Sequence, residues 1–149
     1  MNQPEILIVG AGGMGALFGS ILHENGLKVV LYDTNTEHIR AIQQAGLKIE
    51  GYGGERNIPI AATSNLSELE SAEIIIFQCK SHGTRQAAKA VRPLINQESV
   101  CISFQNGLGN EEVMAEELGE DSVMGGLTAM AGVLLEPGLI RDFSSVPSL

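Results

Sequence analysis

Residues 6–15 read Ile-Leu-Ile-Val-Gly-Ala-Gly-Gly-Met-Gly, and no other stretch constrains the fold as tightly. A four-residue apolar run rich in β-branched side chains suits a strand buried on both faces. It breaks directly into Gly10-Ala11-Gly12-Gly13-Met14-Gly15, a G-x-G-x-x-G pattern. From Met14 to Asn25 the spacing turns helical, with Leu17, Ile21 and Leu22 on one face and Gly26 as a stop. Val29–Tyr32 is a second apolar run, ending at Asp33. Strand, glycine turn, helix and strand of these lengths require a right-handed βαβ crossover and a parallel sheet.

The rest of the chain extends the alternation. Thr34 with Glu37 forms a capping-box pattern for a helix running to Gly46. Leu47–Glu50 and Asn57–Ala62 read as two short strands around Gly51, Gly53 and Gly54. Ile74–Phe77 is a buried strand reaching Lys80, followed by a helix from Thr84 to Ile95 that Pro93 can shorten. Val100–Phe104 is a strand, and Asn110–Leu118 a helix capped by Asn110. Val123–Met130 and Ala131–Leu135 read as extended, and Leu139–Phe143 returns after the Glu136-Pro137-Gly138 turn. The expected class is α/β: a Rossmann-type doubly wound, mostly parallel sheet with helices on both faces. No internal linker is visible, so residues 1–149 are expected to form one dinucleotide-binding domain.

Lys plus Arg number 9 against 18 Asp plus Glu, a formal charge of −9. A field of that sign repels phosphate backbones and anionic lipid, so nucleic acid and membrane are excluded as expected partners. The longest weakly polar stretch, Gly125 to Leu135, is far short of the ~20 residues a spanning helix needs. Met1 to Glu5 carries no basic segment of a secretory leader. Cys79 and Cys101 have no metal-ligand spacing and read as reduced, buried thiols, which suits a cytoplasmic protein. No metal site is expected.

The glycine pattern carries chemistry when it joins a strand to a helix. Gly10 allows the tight turn, Gly12 lets the backbone approach a pyrophosphate, and Gly15 lets the helix pack against the strand. Ala11, Gly13 and Met14 complete the loop, whose free amides and positive helix end face the phosphates. Asp33 lies 18 residues beyond Gly15, where an acidic side chain meets the adenosine ribose hydroxyls. That arrangement favours NAD(H). Ligands in such sheets sit beyond the carboxyl ends of the strands. The further candidates there are Cys79, Lys80, Ser81 and His82, then Gln105, Asn106 and Gly107, and Thr128. Lys80 can donate to a ribose hydroxyl, a carbonyl or a carboxylate, and Asn106 can orient a hydroxyl or ketone. Both also have plain readings: a solvated loop charge for Lys80 and an Asn-Gly turn for Asn106. His82 is a weaker candidate, and His23 and His38 read as surface residues on helices.

These residues resemble the ketopantoate reductases (2-dehydropantoate 2-reductases). The likeness runs from Ile6 to about Arg141. It rests on the Gly10–Gly15 loop, on Lys80 after its strand, on Gln105-Asn106-Gly107-Leu108-Gly109, and on the Glu136-Pro137-Gly138 turn. The resemblance implies reduction of ketopantoate to pantoate with a nicotinamide cofactor, in pantothenate biosynthesis. It implies that Lys80 contacts cofactor and substrate, and that Asn106 holds the substrate oxygen near the nicotinamide. It also implies NADP(H), for which such proteins carry basic residues where this chain has Asp33-Thr34-Asn35. The family continues into a helical domain that supplies a lysine as general acid. The tail Asp142 to Ser148 has no family likeness, so that domain is expected to be absent. The chain is then expected to be incomplete as a catalyst and to form a homodimer through apolar residues near Leu127 to Leu139. The alternatives are a free-standing dinucleotide-sensing regulatory module and a non-functional gene fragment.

Overall fold

The computed structural model describes residues 2–144. Its central sheet is built from six parallel strands: β1 (Ile6–Val9), β2 (Val29–Tyr32), β5 (Ala61–Thr63), β6 (Ile74–Phe77), β7 (Val100–Ser103) and β8 (Val123–Gly125). Their order across the sheet is β5-β2-β1-β6-β7-β8. The order reverses between β1 and β6, so a crevice opens above their carboxyl ends. Side chains along β1 alternate between the two faces. Ile6 and Ile8 join one core with Ala16, Leu17, Ile39 and Ile42, which come from α1 (Gly13–Glu24) and α2 (Thr36–Ala45). Leu7 and Val9 join the other, with Ala88, Val91 and Met114 from α3 (Thr84–Val91) and α4 (Asn110–Leu118). The doubly wound α/β class read from the sequence is the one observed.

A second sheet was not legible in the sequence. It comprises β3 (Leu47–Gly51), β4 (Arg56–Ile58), β9 (Gly132–Glu136) and β10 (Leu139–Asp142), in the order β4-β3-β10-β9. β10 pairs in parallel with β3, with Ile140 opposite Ile49. Both isoleucines are buried in the core that α1 and α2 share with the central sheet. One side of the molecule is therefore sheet, helix and sheet in succession.

Several local expectations need correction. The strand read over Asn57–Ala62 is two strands in different sheets. Pro59 lacks a backbone donor and cannot continue a ladder, and the chain turns there, with Ile60 N–H donating to Ile58 O at 2.9 Å. The α2 cap is Asn35, whose side chain accepts from His38 N–H at 3.1 Å, rather than Thr34. Asn110 lies inside α4, which left-handed Gly109 precedes. α3 ends at Val91, and Pro93 sits in a following 3₁₀ turn. Of the tail read as Asp142 to Ser148, residues 145–148 lie outside the described residues.

Candidate functional site

The loop from Gly10 to Gly15 rises from β1 at the point where strand order reverses. Its three pattern glycines do different work. Gly10 has φ +99°, and a Cβ there would strike the Cys79 backbone. A Cβ on Gly15 would overlap Gly10 O, so the helix can lie this close to the strand only without a side chain. A Cβ on Gly12 would meet nothing within 4 Å among the described residues. Gly12 therefore faces open space, as a residue approached by a ligand must. Gly13 has a role the pattern does not reveal: its Cβ would stand 2.5 Å from Gly132 O and from Val133. Met14 works alongside it, its Sδ accepting from Gly132 N–H at 3.1 Å. These two residues seat the second sheet on the start of α1.

The first bond of α1 runs from Ala16 N–H to Gly12 O, 2.9 Å. The amides of Gly13, Met14 and Gly15 thus lack helical partners, and the first turn carries no acidic side chain. An anion is the natural complement of such a helix end.

Beside the loop lies a cleft of about 600 Å³, lined by Gly10, Gly12, Tyr32, Asp33, Thr34, Gln78, Cys79, Lys80, His82 and Ala87 among others. Of the sequence-derived candidates, Gly10, Gly12, Asp33, Cys79, Lys80 and His82 meet here. Asp33 occupies the end of β2. One carboxylate oxygen accepts from Ala11 N–H at 2.8 Å and the other from Asn35 N–H at 2.9 Å. Asp33 thus holds the loop in shape as well as facing the cleft. Gln78 Nε2 is a buried donor with no partner among the described residues. An orphaned donor on the wall of this cleft fits a site built to receive acceptors. Burial pushes the Cys79 thiol up, aided by the charge of Asp33. Cys79 is half-buried and Cys101 buried, so only the second matches the expectation of a buried thiol. Burial holds the Cys101 thiol at about 11. At pH 7.5 Cys79 is therefore expected to react slowly with iodoacetamide, and more slowly with a nucleotide in the cleft. Mass spectrometry of the alkylated protein checks both.

Lys80 is exposed at the mouth of the cleft and makes no ion pair among the described residues. Asn106 is also exposed and does not line the cleft, but the loop bearing it is tied to the Lys80 loop. Ser81 Oγ donates to Asn106 O at 2.9 Å. Gln105 Nε2 donates to Cys79 O and to Thr84 Oγ1, each at 2.8 Å. Thr84 Oγ1 in turn donates to Asn110 Oδ1 at 3.0 Å. The Gln-Asn-Gly stretch therefore divides its labour, with Gln105 clamping two loops and the Asn106 side chain without a partner among the described residues, at the rim. Sequence reasoning missed this clamp, although a Gln at a strand end beside a Thr at a helix start was its visible sign. Thr128 lies beyond β8 and does not line the cleft.

His38 overturns its expectation as a surface residue. It is fully buried, with Nε2 2.7 Å from Ala11 O and Nδ1 accepting from Gly138 N–H at 2.9 Å. His23 is half-buried near the end of α1. Among the described residues no group of His, Cys, Asp and Glu can hold a metal ion, and no helix is long and apolar enough to cross a membrane.

Comparison with known proteins agrees with this geometry. The family described as ketopantoate reductase PanE/ApbA matches residues 6–145. A 2-dehydropantoate 2-reductase of Pyrococcus abyssi is 36% identical over 137 residues, which are 92% of this chain and 44% of that protein. That of Lactococcus lactis is 30% identical over 142 residues, 93% of this chain and 45% of that protein. Among solved structures, a PanE/ApbA family ketopantoate reductase from Ralstonia eutropha superposes with a TM-score of 0.86 at 28% identity, covering 93% of this chain and 46% of that one. D-mandelate dehydrogenase in complex with NADH and anilino(oxo)acetate gives 0.85 at 27% identity, covering 94% and 46%. The chain spans less than half the length of these relatives and corresponds to the N-terminal part of the reductases.

Proposed function

The chain belongs to the ketopantoate reductase PanE/ApbA family, and from that premise we propose that it binds NAD(H) in the cleft beside the Gly10–Gly15 loop and presents it to a small 2-oxo acid. The family is one of NAD(P)-dependent oxidoreductases. The observation that carries the reading is Gly12, open to the cleft at the start of a helix whose first amides have no helical partners. Those amides and the helix dipole hold the diphosphate. Asp33 accepts from ribose hydroxyls at the end of β2. Lys80 and Asn106, on loops joined through Ser81 and Gln105, orient the substrate oxygen. Nicotinamide supplies the hydride when bound. The D-mandelate dehydrogenase neighbour, whose structure holds NADH and anilino(oxo)acetate, supports this substrate class. Ketopantoate is the substrate expected from the family, and a cytoplasmic setting goes with it.

Cofactor choice turns on Asp33. A 2′-phosphate carries roughly two negative charges and would be repelled by a carboxylate beside it. NADH is therefore expected to bind more tightly than NADPH. Asp33→Asn keeps an acceptor for Ala11 N–H while removing the charge, so it should narrow that gap. Titration calorimetry with both nucleotides reads the change, and a chain that prefers NADPH before any substitution contradicts the assignment.

Orienting an oxygen without a positioned acid forfeits ~10²–10⁴-fold. Residues 1–149 assayed alone are expected to bind cofactor and to reduce ketopantoate that much more slowly than relatives of full length. Turnover at an ordinary dehydrogenase rate would make His82 the leading acid. Met124, Leu127, Val133 and Leu135 are exposed, Leu127 almost completely at 99%. Self-association as a homodimer through these residues is the expected result of light scattering.

A further inference from the structure

Gly12 lines the cleft, and the peptide that carries its N–H also carries Ala11 C=O. We propose that His38 is a positioning residue for cofactor binding, fixing the tilt of that peptide and so the direction of Gly12 N–H. The proposal rests on the dinucleotide reading above and concerns the same site.

A trans peptide is planar, with its N–H and C=O pointing opposite ways, and the described residues contain no cis peptide bond. His38 Nε2 lies 2.7 Å from Ala11 O, so it pins one end of the unit and aims Gly12 N–H away from His38. Among the described residues Gly12 N–H has no acceptor. The neighbouring unit is pinned as well, by Asp33 Oδ2 on Ala11 N–H at 2.8 Å. Ala11 is fully buried and held from both sides, while Gly12 next to it lines the cleft.

The β9–β10 turn decides which nitrogen of His38 does the pinning. Gly138 N–H donates to Nδ1, so that nitrogen is bare and the ring proton sits on Nε2, where it is donated to Ala11 O. Gly138 is itself packed on α2, where a Cβ would stand 2.9 Å from Ala41 Cβ. The second sheet thereby reaches the glycine loop through one buried ring.

Two substitutions separate positioning from plain support. His38→Gln places an amide N–H where Nε2 lies and keeps the donor to Ala11 O, losing the acceptor for Gly138. His38→Asn places an oxygen near Nδ1 and keeps the acceptor, losing the donor. With NADH titrated into each folded protein, Gln is expected to stay within about threefold of the unmodified affinity. Asn should weaken it tenfold or more, even where the two melting temperatures match. Equal affinities for the two variants, or losses that follow melting temperature alone, would overturn the role of His38 while leaving the dinucleotide site intact. Absence of NADH binding in the unmodified chain would remove the site itself, and this role with it. The unmodified chain offers a reading that needs no variant. Ring-nitrogen NMR should give the Nε2–H tautomer, and NADH should displace the Gly12 amide resonance. The opposite tautomer, or a Gly12 signal unmoved by bound NADH, overturns the proposal.

Discussion

Gly12→Val is expected to abolish NADH binding and leave the protein folded. The Gly12 backbone, at φ −63° and ψ −166°, is one that any residue adopts, and among the described residues a Cβ there meets nothing within 4 Å. Valine is a poorer helix N-cap than glycine, which costs about 1 kcal/mol and lowers Tm by roughly 2–4 °C. The branched side chain would fill the space a diphosphate needs. A loss beyond ~100-fold, about 2.7 kcal/mol of binding, is the expected size. Calorimetry and a thermal melt on the same sample check both halves, and an unchanged affinity sinks the assignment of this loop to phosphate.

Gly15→Ala should do the reverse, damaging the fold before it touches a ligand. The added methyl would overlap Gly10 O, a backbone atom that cannot rotate away. Relief requires α1 to move off β1, whose Ile8 packs with Ala16 and Leu17 of that helix in one core. Overpacking against backbone belongs at the upper end of its usual range, about 3 kcal/mol or more. The melting temperature is expected to fall by roughly 6–12 °C. A variant that melts with the unmodified protein would mean that the helix does not lie this close to the strand.

The two glycines show what the sequence could and could not tell. Their spacing after Ile6–Val9 announced the strand, the turn and the helix, because each local preference agrees with the others. The second sheet escaped because its central pairing, β10 with β3, joins segments about ninety residues apart. Leu47–Glu50 and Leu139–Phe143 were each legible as strands, but nothing local marks them as neighbours. The pattern marks Gly13 as a cofactor contact, and its additional packing against Gly132 becomes visible only once β9 is in place. His38 was recoverable: it lies one turn before Ile42 and beside Ile39, on the buried face of α2. Its polarity argued for the surface, and the partners that allow its burial come from Ala11 and Gly138, far away in sequence. Lys80 and Asn106 are legible as candidates from strand ends alone, and the Gln105 clamp that joins their loops needs the structure.

Titration of NADH and of NADPH into residues 1–149, followed by calorimetry, tests the central claim most directly. Saturable one-to-one heat with NADH, and a weaker isotherm with NADPH, is the expected result. No binding heat from either nucleotide, over a range of temperatures, would contradict it.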